Sequence, residues 1–105
     1  MYKFVFSKPH YDDLDSVYDY IEDEDDFINA RKSIFVLLDK KLDQIEVMPH
    51  AWALVKDDDL SSIGYRFVVV KSYLLFFVIN EDDKTIEVDR FLHSSRDWAN
   101  ILKED

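Results

Sequence analysis

The feature that most constrains this chain is a run of seven consecutive apolar residues, YLLFFVI at positions 73–79. The run is aromatic and β-branched and is flanked by polar segments, which is typical of a β-strand. A strand with one face in water alternates apolar and polar side chains. Because this strand does not alternate, we expect protein to cover both of its faces. The run is also far too short to span a bilayer.

Two further strands are predicted around this run. Residues 63–70 (IGYRFVVV) are β-branched and aromatic, and residues 85–93 (TIEVDRFLH) alternate apolar with polar side chains. Short polar turns at 71–72 and 81–84 would join the three strands into an antiparallel meander. In the last strand, Arg90 is expected to share a face with Ile86, Val88 and Leu92. A charge on an apolar face usually has a partner, so we interpret Arg90 as a structural ion-pair residue.

The N-terminal half predicts a strand followed by a helical hairpin. Residues 2–6 (YKFVF) are strand-like, and Ser7 and Pro9 suit the start of a helix. Apolar residues then recur at steps of three and four in two stripes. The first stripe comprises Tyr11, Leu14, Val17, Tyr18 and Ile21, and the second comprises Phe27, Ala30, Ile34, Leu38, Leu42 and Ile45. The second helix should end near residue 47 or 48, since Pro49 disfavours helix at the preceding position.

The remaining segments complete an α+β order, β-α-α-β-β-β-α. Residues 50–62 are predicted to be a loop with a short strand or turn. Ser94 and Asp97 have the spacing of a capping box for a short C-terminal helix. The helical hairpin would cover one face of a small, mostly antiparallel sheet, and the short helix would cover the other face only partly.

An incompletely covered face would leave an apolar patch, and such patches commonly mark partner sites. The alternative is that the short helix and residues 50–62 seal the sheet by themselves. The residues that we expect to contact a partner lie on the apolar strand and the last helix: Tyr73, Leu75, Phe77, Trp98 and Ile101.

Composition limits the class of protein. The 105 residues suit one domain, 1–105, and 48% hydrophobic residues exclude a disordered chain. No cysteine is present, so disulfides and thiolate metal sites are excluded. A single glycine, Gly64, excludes a P-loop and a dinucleotide fingerprint. His10 and His50 are isolated, so we expect no metal or cofactor. The N-terminus lacks a signal-peptide pattern, which favours the cytoplasm.

The net charge of −10 disfavours bare nucleic acid as a partner of the whole surface. Most of the excess of acidic over basic residues lies in the first 61 residues, so a site that faces an anion is expected in residues 62–105. Five consecutive acids at 22–26 (EDEDD) are interpreted as a solvated turn. The alternative is a cation site or a mimic of nucleic acid, although a calcium loop would need spaced ligands and a glycine.

Three residues in the C-terminal part could act on an anion. Arg66, on the first meander strand, is either a solvated or ion-paired residue or an anion-binding one, since its guanidinium suits phosphate and carboxylate. His93 and Arg96 lie where the last strand gives way to the last helix. That pair could do acid–base work on a phosphodiester, or it could form a cap with a salt bridge.

The chain resembles the RelE/ParE superfamily of toxins from bacterial type II toxin–antitoxin systems. The resemblance rests on the opening YKFVFSKPHYDDLDSVYDYI, a second helix ending in Met-Pro, the Gly64-Tyr65-Arg66 start of a strand, and the closing segment of residues 72–102. It implies a toxin neutralised by a cognate antitoxin that wraps it as an extended or helical strap. It also implies one of two targets, the ribosome or DNA gyrase.

RelE-like members cut messenger RNA in the ribosome, and the resemblance would then make Arg66, His93 and Arg96 catalytic. RNA-cutting members usually carry extra Arg or Lys where Ser94 and Ser95 stand here, and are usually basic overall. The tail SRDWANIL and the long hairpin are more similar to the ParE branch, whose members poison gyrase by binding. We therefore favour a ParE-like toxin. The alternatives are a ribosome-dependent endoribonuclease and a non-toxic member that is retained as an antitoxin-binding autoregulator.

Overall fold

The computed structural model describes residues 2–22 and 27–104 and has the α+β class expected from the sequence. The predicted link within the helical hairpin falls largely outside the described residues. The elements, in chain order, are β1 (Lys3–Phe6), α1 (Lys8–Glu22), α2 (Phe27–Val47), a 3-10 turn (Pro49–Ala51), α3 (Asp58–Ile63), β2 (Arg66–Val70), β3 (Tyr73–Asn80), β4 (Thr85–His93) and α4 (Trp98–Glu104).

The four strands form one sheet in the order β1-β4-β3-β2. The predicted meander is confirmed, because β2 pairs with β3 and β3 with β4 in antiparallel fashion. β1 pairs in parallel with β4, with Phe6 opposite Val88, and forms one edge of the sheet. β4 is longer than β1, so its last residues extend beyond the end of that neighbour.

The pairing of β3 with β4 contains a β-bulge. Phe76 pairs with Arg90 and Phe77 with Val88, so Asp89 has no residue opposite it. The extra residue reverses the alternation of side chains along the rest of β4. The predicted common face of β4 is therefore wrong. Ile86 and Val88 belong to one hydrophobic cluster, whereas Leu92 belongs to the cluster on the opposite face.

Both faces of β3 are covered, as the unbroken apolar run predicts. Leu75, Phe76 and Phe77 each have 0% exposed surface. Leu75 and Phe77 pack in the cluster beneath α1 and α2, which also contains Val17, Ile34, Leu38, Ile45, Val68, Val70, Tyr73, Ile86, Val88 and Phe91. Phe76 packs in a second cluster with Val55, Leu60, Leu92 and Leu102, bordered by half-buried side chains that include Trp98 and Ile101.

The segment at 50–62, predicted as a loop with a short strand or turn, carries both the 3-10 turn and an isolated β-bridge between Leu54 and Arg66. It also contains α3, which the sequence did not predict. The Asp57 carboxylate caps α3 by accepting the Leu60 N–H at 3.1 Å. Gly64, at φ 108°, ends it in the left-handed region, where its N–H donates to the Leu60 carbonyl at 3.1 Å. Leu60 is 1% exposed, so α3 contributes directly to the second cluster.

The C-terminal helix begins later than the predicted capping box requires. α4 starts at Trp98, so Ser94 stands four positions before it and cannot cap it. The Ser94 N–H instead donates to the Ser72 carbonyl at 2.8 Å, which ties the β4–α4 junction to the β2–β3 turn. A Lys103–Asp57 ion pair of 2.9 Å joins α4 to the start of α3. Across the described residues, none of the helices has the length and apolar character needed to cross a membrane.

Candidate functional site

The second face of the sheet is covered on its β2–β3 side but open toward β1. A groove of about 370 Å³ lies there, and we call it the edge groove. The exposed valine of the edge strand, Val5, and the last residue of α3, Ile63, flank it with 49% and 63% of their surface exposed. The full lining comprises Val5, Ser7, Ile63, Tyr65, Val78, Glu87, Val88 and Asp89.

Most polar groups in the edge groove already have partners. The Tyr65 hydroxyl donates to Asp89 Oδ2 at 2.6 Å, and the Ser7 hydroxyl donates to the Asp89 carbonyl. The exposed Glu87 carboxylate makes no hydrogen bond or ion pair with any residue in the described ranges. The groove therefore offers apolar side chains, the carboxylate of Glu87, which makes no hydrogen bond within the described ranges, and the hydrogen-bonded carboxylate of Asp89.

The partner-contact residues predicted from sequence lie mostly elsewhere. Tyr73, Leu75 and Phe77 are at most 8% exposed and pack beneath the helical hairpin, so in this conformation they have almost no surface to offer. Trp98 and Ile101 are half-buried at the border of the second cluster. The exposed apolar side chains that flank the edge groove are Val5 and Ile63, which the sequence reasoning missed. The signal available for Val5 was its alternation with Phe4 and Phe6, which pack into the first cluster.

Arg66 is committed to the backbone of the segment that follows α2. Its Nη1 donates to the Trp52 carbonyl and, at 3.4 Å, to the His50 carbonyl. The same segment is held to β2 by the Phe67 N–H, which donates to the Ala53 carbonyl at 3.1 Å. Arg66 therefore fastens a loop to the first strand of the meander.

His93 and Arg96 lie at the other end of the sheet. Arg66 pairs with Phe77 and His93 pairs with Tyr73, so the two are separated by four residues along β3 and by two strand spacings. That places their Cα atoms roughly 15 Å apart. The structure brings His93 and Arg96 together and leaves Arg66 apart from them.

His93 and Arg96 line a small cleft of about 150 Å³ between the end of the sheet and α1, which we call the sheet-end cleft. His93 Nδ1 accepts the Ser95 backbone N–H at 3.1 Å, so the neutral ring carries its proton on Nε2. The ring stands edge-on to that of Tyr73, with centroids 5.2 Å apart. The full lining comprises Asp13, Ser16, Val17, Tyr73, Phe91, Leu92, His93 and Arg96.

The part of the chain that the structure describes contains no group of three or more His, Cys, Asp or Glu side chains arranged to hold a metal ion.

Solved structures with the same fold come from toxin–antitoxin systems. The chromosomal ParDE system of P. aeruginosa is similar with a TM-score of 0.69 and 16% identity, over 89% of this chain and 96% of that chain. The RelBE2 toxin–antitoxin complex of Mycobacterium tuberculosis is similar with a TM-score of 0.56 and 15% identity, over 88% of this chain and 96% of that chain. The isolated E. coli RelE toxin is similar with a TM-score of 0.55 and 14% identity, over 99% of this chain and 98% of that chain.

A comparison with curated proteins finds no match. The sequence pattern of the family described as "ParE toxin of type II toxin-antitoxin system, parDE" matches residues 4–98, which is nearly the whole chain. That match includes all of β1 except its first residue, the helical hairpin, α3, the complete meander and the first residue of α4. The chain therefore belongs to the ParE toxin family of type II toxin–antitoxin systems.

Proposed function

We propose that this toxin acts by binding a protein, that its target is DNA gyrase, and that a cognate antitoxin neutralises it. The observation that carries the proposal is the separation of Arg66 from His93 and Arg96. A ribonuclease built on these three residues would need them around one phosphodiester, within hydrogen-bond reach of the reacting atoms. The Arg66 guanidinium is instead held by the backbone carbonyls of His50 and Trp52.

The charge of the chain supports the same proposal. Binding to RNA gains affinity from Lys and Arg side chains that neutralise phosphates. This chain has 13 basic against 23 acidic residues, for a net charge of −10. Its field repels a polyanion at long range, whereas a protein surface can present complementary patches.

The edge groove supports an antitoxin partner. ParDE and RelBE, the systems of the structural neighbours, pair a toxin with an antitoxin, as their descriptions state. The edge groove combines the exposed side chains of Val5 and Ile63 with an edge strand whose outer backbone groups no other strand of the sheet pairs. An extended segment of a second chain could bury both.

Gyrase inhibition is tested with the purified full chain in a supercoiling assay, together with expression of the chain in growing cells. We expect growth arrest, loss of supercoiling activity and intact messenger RNA. Cleavage of messages at translated codons, with supercoiling unaffected, would instead establish the endoribonuclease alternative. Normal growth at high expression would establish the non-toxic alternative.

The antitoxin site is tested with a matched pair of variants on the two edge strands. Val5→Lys places a charge in the edge groove. Val69→Lys, the control, places the same charge on β2, at a valine with 52% of its surface exposed against 49% for Val5. With the protein encoded by the neighbouring reading frame as the probe, calorimetry should show weakened binding for Val5→Lys alone. Equal binding of both variants would place the antitoxin elsewhere.

A further inference from the structure

The sheet-end cleft has a local charge opposite to that of the molecule. Asp13, the one acid in its lining, is neutralised by Arg90, whose Nε and Nη2 contact its two carboxylate oxygens at 2.7 and 2.8 Å. Arg96, by contrast, forms no ion pair or hydrogen bond through its guanidinium with any described residue. The cleft therefore carries one uncompensated positive charge on a chain with a net charge of −10.

The imidazole ring of His93 is held in place by neighbouring groups. The Ser95 backbone N–H donates to the lone pair of His93 Nδ1 at 3.1 Å, so Nε2–H is the donor left for a ligand. The Ser95 hydroxyl, 2.8 Å from the same nitrogen, reinforces this orientation. The buried Tyr73 ring supports the imidazole from its edge. A planar guanidinium and an oriented N–H together suit an oxyanion.

We propose that the sheet-end cleft binds the carboxylate of an acidic side chain on a protein partner, with Arg96 and His93 as its contacts. The protein source of that carboxylate rests on the proposed function, since a toxin that acts by binding needs contacts with its target. The cleft, at about 150 Å³, has room for one small anionic group. The net charge of −10 would repel the further phosphates of a nucleic acid strand.

Binding is tested first with sodium acetate, titrated into the isolated full chain at constant ionic strength and followed by NMR. Saturating shifts should be confined to the His93 ring and the amides of Ser95 and Arg96. Arg96→Gln should weaken acetate binding about tenfold, the expected loss for one charged hydrogen-bond donor. Lys56→Gln, which removes an exposed charge outside the cleft, should leave binding unchanged. Shifts that do not saturate, or that survive in Arg96→Gln, would overturn the proposal.

The class of partner is tested with two further probes at the same ionic strength. One is an amidated hexapeptide, Gly-Ser-Asp-Asp-Ser-Gly, and the other is a six-nucleotide oligouridylate. The peptide should reproduce the acetate shifts and bind more tightly than the oligonucleotide. Tighter binding of the oligonucleotide would assign the cleft to nucleic acid and overturn the proposal. These titrations need no toxicity, so a failure of gyrase inhibition and a failure of anion binding are seen separately.

Discussion

Asp13 on α1 completes the edge of the sheet beside Arg90 on β4. The two residues are 77 positions apart, and the Asp13 carboxylate accepts two hydrogen bonds from Arg90 and a third from the Phe91 N–H at 2.9 Å. β1 ends at Phe6, opposite Val88, so it supplies no backbone acceptor for Phe91. The Asp13 side chain takes that place, which fastens α1 to the last third of β4.

Removing this carboxylate should destabilise the fold strongly. The Asp13 and Arg90 side chains are only 9% and 14% exposed, and the loss of one charge from a pair buried to this extent is strongly destabilising. We expect Asp13→Asn to lower the free energy of unfolding by about 3 kcal/mol, measured by urea denaturation.

The neighbouring aspartate provides the control. Asp12 forms an exposed ion pair with Lys8, so Asp12→Asn should cost less than about 1 kcal/mol. Equal losses in the two variants would show that Asp13 stabilises the protein only through its general charge. In the double variant Asp13→Asn/Arg90→Gln, the loss should be smaller than the sum of the single losses, because both act on one contact.

Sequence patterns predicted the strands well because each strand carries its own signal. The unbroken apolar run predicted β3 and its double coverage, and Arg90 was correctly interpreted as a structural ion-pair residue. The β-bulge at Asp89 has no periodic signal. The bulge is fixed by contacts from distant segments of the chain. The Tyr65 hydroxyl donates to the Asp89 carboxylate, and the Ser7 hydroxyl donates to the Asp89 carbonyl. One inserted residue was enough to reverse the predicted faces of β4.

The candidate site was harder to predict because α3, which flanks the edge groove, also depends on contacts with distant parts of the chain. α3 has six residues, too few to be stable as an isolated helix, and it depends on the burial of Leu60 and on the Lys103–Asp57 ion pair. Its capping residue, Asp57, was visible in the sequence within an acidic cluster. A cover over the second face by residues 50–62 was one of the two alternatives, but without α3 the exposed position of Ile63 could not be foreseen.

Burial of His10 should make the fold sensitive to mild acid. The residue is 2% exposed, stacks on Phe6 with ring centroids 5.2 Å apart, and its buried Nδ1 has no hydrogen-bond partner among the described residues. Desolvation lowers the pKa of His10 below its ordinary 6.5, against a smaller opposing effect of Asp13. The unfolded chain therefore takes up a proton at a pH where folded His10 stays neutral.

The sign follows from that difference in pKa. The lowered pKa of His10 has no influence on the free energy of unfolding above pH 6.5. As the pH falls from 6.5 toward the pKa of folded His10, it makes that free energy smaller. Urea midpoints measured from about pH 7.5 to about pH 5.5 should decline for the wild type. His10→Phe, which keeps an aromatic ring in the stack, should flatten the decline, while His93→Gln should retain it. An unchanged slope in His10→Phe would exclude His10 as the cause.

Gly64 should be intolerant of a side chain because of its backbone conformation. A Cβ there would meet Val78 Cγ1 at 3.8 Å, an ordinary contact, so space is not the obstacle. The φ of 108° is the obstacle, because L-residues rarely adopt it. We expect Gly64→Ala to cost about 1–2 kcal/mol of unfolding free energy in urea denaturation.

The β2–β3 turn provides the matched comparison for Gly64. Lys71 has φ 55°, a left-handed conformation that glycine adopts readily. Lys71→Gly should therefore leave stability within about 1 kcal/mol of the wild type, since relief of the left-handed conformation offsets the added chain entropy. A tolerated Gly64→Ala would mean that the end of α3 can rearrange.

The last prediction concerns Arg66, which we expect to act on the loop and not on a substrate. Lysine lacks the planar fork of donors, so Arg66→Lys should lose part of the contact with the His50 and Trp52 carbonyls. The amides of Val55 and Phe67, which join this segment to Tyr65 and Ala53, should then exchange hydrogen faster. Growth arrest should persist. Lys40→Gln, a loss of one exposed charge on α2, should change neither measurement. Loss of growth arrest with unchanged exchange would instead place Arg66 in contact with the target.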